Sequence, residues 1–459
     1  MTETTEHRGA LAAMPSAFRQ LLANTLVAGV TSSFLWFALT FWVYLETRSV
    51  VATGVIGGAF SISSAVLGPL FGTFVDHHRK HTSLVVTTAF AAVCFALATT
   101  LFLAVDEADL LSMGAPWFWL LVGLTLLGAT AGQLRSIVLS TCVTLLVPES
   151  LRDRANGMVG TVTGISFAIT SVFSGLVIGW FGMGWAYLAS LALMVVALVH
   201  VQGIRFAEPD PEVAAADGER VPMVDVRGAV DAIKAVPGLA MLIALAALNN
   251  LLGGVFMALM DAYGLELVSV EAWGLLWGLI CLAMIAGGLA VSRYGLGRKP
   301  VRVIILGNLV NWVVCSVFAI QSSIVLLTVG MIVWLALIPV IEAGEQTVLQ
   351  RAIPFERQGR VFGFAQLVEN AAAPFTAFLV APLAESVFMP YMTDGGGADA
   401  IGSWFGTGPE RGLALMFTVA GLVGVAATLL AWSSKSYRRL TYAVGEADDA
   451  VAPASTVGA

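Results

Sequence analysis

Six residues capable of chemistry sit inside runs of sequence that are otherwise apolar: Arg135, Glu342, Glu345, Gln346, Glu369 and Asn370. A charge at the centre of a bilayer costs about 2.5–3.5 kcal/mol on insertion scales, so it persists where a function or a partner holds it. Glu342 and Glu345 lie one helical turn apart with Gln346 beside them, and Arg135 shares a helical face with Gly132 and Gly128 at i−3 and i−7. A carboxylate in apolar surroundings favours its proton, and a nearby guanidinium favours release. Arg135 with one of Glu342, Glu345 or Glu369 would therefore form a titratable relay or a substrate-binding pair. A static buried salt bridge is the structural alternative.

The elements that must position these residues are set by composition. The chain has 459 residues, 58% of them hydrophobic and only 12% charged, and its mean hydropathy is +0.87. Such a mix points to lipid as the solvent. A hydrocarbon core of roughly 30 Å needs about 20 apolar residues per crossing, and twelve runs qualify: 21–44, 50–74, 82–104, 117–147, 157–180, 184–204, 238–262, 272–292, 301–320, 323–347, 360–388 and 412–433. Backbone groups in lipid must bond internally, so these runs are helices and the chain is an all-α membrane protein.

All but three of the 23 Lys and Arg fall on one alternate set of loops and tails or at the span ends beside them; Arg48 and Arg411 fall on the other set, and Arg135 lies within the fourth span. The positive-inside rule puts the basic set and both termini in the cytoplasm, with the chain in a cell membrane. Residues 1–20 are polar, without a cleavable signal pattern, so the first span doubles as the targeting signal. The polar segment 205–237 reads as a linker between six-helix halves at 21–204 and 238–433, and 434–459 as a cytoplasmic tail. The Gly-rich stretch 392–412 is an external loop, either a lid or a long connection. Scarce lysine beside abundant Ala, Gly and Arg suggests a bacterial source.

The halves echo each other. Pro148-Glu149-Ser150 and Arg154-Ala155-Asn156-Gly157 recur as Pro354-Phe355-Glu356 and Arg360-Val361-Phe362-Gly363 at an offset of 206, and Gly72 to Lys80 is echoed by Gly288 to Lys299. The same offset carries Arg135 to 341, beside Glu342. Repeats of this kind suit two pseudo-symmetric bundles that rock about a site between them.

Within the first of these segments, Gly72 precedes Asp76 by four residues, with Arg79 and Lys80 just beyond. This pattern resembles the signature of the major facilitator superfamily, Gly-x-x-x-Asp followed by basic residues after the second span. The resemblance implies twelve transmembrane helices, alternating access and a gating role for the motif. Physically, Gly72 permits a close helix approach, and Asp76 can accept hydrogen bonds from a helix N-terminus or a basic side chain, latching one face shut. The second copy keeps Gly288, Arg293 and Arg298 but has Ser292 in place of the acid, so the latch should be asymmetric. The loops LVPESLRDRANG at 146–157 and Gln350 to GRVFG at 359–363 resemble the branch that includes enterobactin and macrolide exporters, which implies outward transport.

Other classes find no support. No GxxxxGK[ST] phosphate loop is present to make the chain an ATP-driven pump, no soluble catalytic constellation marks an enzyme, and no basic stripe suits nucleic acid. Cys94, Cys142, Cys281 and Cys315 have no metal-ligand spacing, and His77, His78 and His81 read as a charged loop, so neither metal nor cofactor is expected. The polar span residues Asn24, Asn249, Asn250, Asn308 and Asn311 are expected to bridge helices rather than touch substrate, and the aromatic ones, such as Phe34, Trp36, Trp273, Trp277, Trp312 and Trp334, to face lipid or interface by default, or else to line a pocket for apolar compounds. The expectation is a secondary transporter, a monomer in the bilayer, that expels a small amphiphilic or drug-like molecule in exchange for protons. A lipid or lysolipid flippase and a transport-inactive sensor are the alternatives.

Overall fold

The computed structural model describes residues 14–47, 50–208 and 226–451. Arg48, the first residues of the N-terminal tail, most of the linker and the end of the C-terminal tail lie outside the described residues. Among the described residues twelve long helices follow one another: α1 Ser16–Thr47, α2 Val50–His77, α3 Lys80–Ala104, α4 Pro116–Leu146, α5 Arg152–Phe181, α6 Met183–Gly203, α7 Leu239–Leu267, α8 Val270–Tyr294, α9 Pro300–Val317, α10 Ile324–Ala352, α11 Gln358–Leu383 and α12 Pro409–Ser433. Ten of them are long and apolar enough to cross a membrane, and α5 and α11 stand where the fifth and eleventh spans were expected.

Local chemistry sets the boundaries. Pro116, Pro300 and Pro409 open α4, α9 and α12 at the first helical position, where the missing N–H is no loss. Ser269 and Ser323 cap α8 and α10 by accepting from Ala272 N–H and Leu326 N–H at 3.4 and 3.3 Å.

The chain divides into two compact units, Met1–Val230 with Pro354–Leu367, and Asp231–Ile353 with Val368–Ala459. In the first, α3 packs on α4 and α6, α1 on α6, and α2 on α4; in the second, α9 packs on α10 and α12, α7 on α12, and α8 on α10. Each pairing recurs six helices later, so the sequence echo is also an echo of packing. Leu35, Phe95, Phe118 and Tyr187 centre the first core. In the second, Phe256 stacks on Phe417 at 5.1 Å beside Phe318 and Trp312. Large apolar side chains cover the outside, with Leu275, Trp180 and Leu430 more than 70% exposed, as lipid-facing surfaces require.

Three segments differ from expectation. The Gly-rich stretch after α11 is largely helical: a π-turn at Ala384–Phe388 leads into Met389–Thr393, and Gly396–Phe405 forms a further helix. Arg411, expected in an external loop, is buried in the first turn of α12. Trp273, Trp312 and Trp334 are core residues rather than lipid-facing ones. For two of them a polar partner or a glycine makes room inside: the Trp312 indole donates to Asn249 Oδ1 at 2.9 Å, and Trp273 packs against Gly264.

Candidate functional site

The contact between α2 and the start of α11, within the first unit, is built by four glycines. Gly68 and Gly72 on α2 face Gly359 and Gly363 on α11, each pair spaced as GxxxG. A Cβ on Gly72 would stand 2.4 Å from the Gly359 carbonyl oxygen, and one on Gly363 would stand 2.5 Å from that of Gly68. Only hydrogen fits between these backbones. One turn beyond Gly72, Asp76 accepts from the Gly359 N–H at 2.7 Å, the Arg360 N–H at 2.9 Å and Arg360 Nε at 3.0 Å. Its side chain is 1% exposed. The carboxylate thus satisfies two unpaired amides of a helix N-terminus and pairs with the basic residue there, combining the dipole and charge terms. Ser136 Oγ of α4 accepts from Gln366 Nε2 of α11 at 2.8 Å, two turns along.

Around this contact Arg79 and Lys80 part company. Arg79 is exposed at the N-cap of α3, whereas Lys80 is buried, donating from Nζ to Val75 O at 2.5 Å over the Phe355 ring, 5.2 Å from its centroid. Glu208, just past α6, accepts from the Lys80 and His81 N–H groups at 2.5 and 2.8 Å and so caps α3. No local pattern announces Glu208. His77 Nδ1 and His78 Nδ1 each approach a carbonyl one turn back, and His81 Nε2 approaches Val201 O. Among the described residues no group of His, Cys, Asp or Glu is arranged to hold a metal.

In the second copy of the motif, Ser292 Oγ donates to Leu289 O of its own helix at 2.9 Å. Gly288 is buried in α8, Arg293 lies over the Tyr294 ring, and Arg298 is exposed. The close approach on α8 falls one residue earlier, where a Cβ on Gly287 would overlap Ala336 O of α10.

Arg135 is 1% exposed. Its Nη1 donates to Thr88 Oγ1 of α3 and its Nη2 to Asn24 Oδ1 of α1, while Nε has no partner. Asn24 Nδ2 in turn donates to Ala197 O at 2.7 Å and lies 3.2 Å from His200 Nδ1 on α6. The glycines on the same face let the guanidinium reach both neighbours: Gly132 abuts Ser32 of α1, and Gly128 abuts Phe95 of α3. No carboxylate among the described residues neutralises Arg135. Thr88 and His200 were not anticipated, whereas Asn24 bridges helices as expected.

The acidic residues belong to the second unit. Glu342 is exposed, while Glu345 Oε1 and Gln346 Oε1 are buried with no hydrogen-bond partner. Glu369 is half-buried on α11, and the three carboxylates are within electrostatic reach of one another. The Asn370 side chain lies outside the described residues. Two units of repeated helix packing, lipid-facing outer surfaces and ionisable groups held inside define a multi-pass membrane carrier.

Comparison with known proteins gives that class its family. Residues 21–377 match the model of the Major Facilitator Superfamily, and the chain belongs to it. Human solute carrier family 67 member A1 is 24% identical over 332 residues, 70% of this chain and 72% of that one. Among solved structures, a bacterial homologue of the iron transporter ferroportin, outward-facing with soaked iron, aligns with a TM-score of 0.64 at 15% identity, covering 91% of this chain and 99% of the other. The proton:xylose symporter XylE aligns with a TM-score of 0.61 at 13% identity, covering 93% and 99%. At these identities the likeness is one of fold.

Proposed function

We propose that this chain is a proton-coupled exporter of small amphiphilic molecules in a cell membrane, working by alternating access. The observation that carries the reading is a set of ionisable groups in apolar helices that meet no opposite charge among the described residues: Arg135, buried in the first unit, and in the second Glu345 and Glu369, at least partly buried, with Glu342 exposed beside them. Such groups are costly in a bilayer and persist where transport uses them. In this reading the glutamates take up and release the coupling proton, and Arg135 is a fixed cation on the substrate path. The Asp76 contact with the α11 N-terminus acts as the gate. Its second copy, with Ser292 in the acid's place, carries no matching gate. Proton coupling is compatible with the fold, since one structural relative is itself a proton symporter.

Export and amphiphilic cargo rest on the loops at 146–157 and 359–363, which resemble those of the exporter branch. The test is transport in proteoliposomes under an imposed pH gradient, with fluorescent amphiphiles and labelled lysolipid. Gradient-driven movement of an amphiphile, abolished by Glu342→Gln/Glu345→Gln/Glu369→Gln, supports the reading. Movement of lysolipid alone makes the chain a flippase, and movement of nothing, with the protein folded, makes it a sensor.

A further inference from the structure

In the second unit, the turn between α8 and α9 and the helix Lys435–Val451 enclose a cavity of about 290 Å³. Its roof is firmly seated. Leu440 and Val444 are buried, and a Cβ on Gly238 (φ +91°) would meet the Ser436 carbonyl oxygen at 2.2 Å, so the C-terminal helix rests directly on the turn before α7. On the opposite wall Gly297, with φ +72°, tightens the turn and delivers Arg298 and Lys299 in succession to the mouth of the cavity. Both cations are exposed. Val301 and Val444 supply apolar wall, and Thr441 from the roof contributes a buried hydroxyl oxygen that has no hydrogen-bond partner. Among the described residues no acid lines the space.

We propose that this cavity binds a phosphate group, carried by an anionic lipid headgroup or by a small soluble phosphate. Arg298 offers a planar fork and Lys299 a point charge, the usual pairing for a phosphate. The Thr441 hydroxyl, a buried polar group without a partner, would donate to a phosphate oxygen, and after Pro300 the first turn of α9 leaves the Val301 and Arg302 amides without intrahelical acceptors. The geometry favours the lipid source, because the apolar walls would shelter the first carbons of a glycerol ester and Lys435, Arg438 and Arg439 carry the same sign of charge along the roof helix. Occupancy would tie the C-terminal helix to the α8–α9 turn, making this corner sensitive to membrane composition whatever the transported molecule.

The experiment uses the full chain in phosphatidylcholine nanodiscs, titrated with phosphatidylglycerol, glycerol 1-phosphate or inorganic phosphate, with the unfolding midpoint as readout. Phosphatidylglycerol should raise the midpoint; Arg298→Gln/Lys299→Gln should abolish the rise and Thr441→Val should reduce it. Arg438→Gln/Arg439→Gln, which changes the exposed face of the same helix by the same charge, should keep the rise. A shift produced by the soluble phosphates alone, and lost in the Arg298/Lys299 pair, supports the site and assigns it a soluble ligand. An equal rise in the wild type and that pair, or an equal loss in both double variants, overturns the proposal, since the effect would then be diffuse charge.

Discussion

Asp76 and Arg360 are joined twice, for one carboxylate oxygen takes both the backbone N–H and the Nε of the same arginine, at 2.9 and 3.0 Å. The other oxygen takes the Gly359 N–H. A contact of this kind holds α11 by its first turn rather than by one flexible side chain, so it can be broken only by moving the helix.

Asp76→Asn keeps the shape and removes the charge. The amide NH₂ then faces a donor where an oxygen stood, and charge-assisted bonds worth about 1.5–3 kcal/mol are lost. The expected outcome is a population shifted away from the closed contact, with transport impaired and folding intact. Alkylation of a cysteine placed at Gln366 should become roughly tenfold faster, a factor that corresponds to about 1.4 kcal/mol. Unchanged labelling and transport would remove Asp76 from the gate.

Gly72→Ala attacks the same contact through shape. The new methyl would stand 2.4 Å from the Gly359 carbonyl oxygen, which is backbone and cannot step aside alone. Overpacking of this sort costs about 1–3 kcal/mol. Gly68→Ala, whose Cβ would stand 3.1 Å from the Gly363 carbonyl oxygen, should cost less. Transport rates should therefore fall in the order wild type, Gly68→Ala, Gly72→Ala, and a reversed order would contradict the glycine-lined approach.

How much of this was legible depends on the range of the interaction. Helix number and register follow from apolar runs, and Gly72 and Asp76 announce themselves by spacing. The acceptor role of Asp76 was also open to chemical reasoning, because a carboxylate at a helix end seeks amides. Its partners were not, since Gly359 lies 283 residues away. Thr88, His200 and Glu208 were missed for the same reason: each is an ordinary polar residue whose meaning comes from a neighbour distant in sequence. The helix Gly396–Phe405 was hidden by its glycines, which lower helix propensity but here flank and pack the element. Arg411 was read by the charge of its loop, whereas its burial is decided by three carbonyls from two chain segments.

Arg135→Met separates fold from function. The substitution keeps length and removes an unneutralised buried cation; Thr88 Oγ1 and Asn24 Oδ1 each lose a donor, but the Thr88 hydroxyl retains its bond to Leu84 O. Leaving one acceptor unmet costs about 1–3 kcal/mol, which relief of the buried charge offsets. The unfolding midpoint should hold or rise while proton-driven transport disappears. A variant that transports at the wild-type rate would show the arginine to be structural.

Arg411 is equally buried and should behave in the opposite way. Its Nε donates to Phe405 O at 2.6 Å, Nη1 to Tyr263 Oη and Ser322 Oγ, and Nη2 to Ala319 O and Ile320 O, with the guanidinium over the Phe405 ring at 4.4 Å. Every nitrogen is engaged, so this arginine fastens the α9–α10 turn and the helix Gly396–Phe405 to the start of α12, and nothing in its bonding is left for a substrate. Arg411→Ala strands three carbonyls and opens a cavity, costing about 4 kcal/mol or more. Arg411→Lys restores at most three donors without the planar fork, and should recover part of the loss. Both variants should show a lowered unfolding midpoint in detergent, and whatever fraction folds should transport at the normal rate per molecule. A stable Arg411→Ala protein without transport would instead move this residue from scaffold to mechanism.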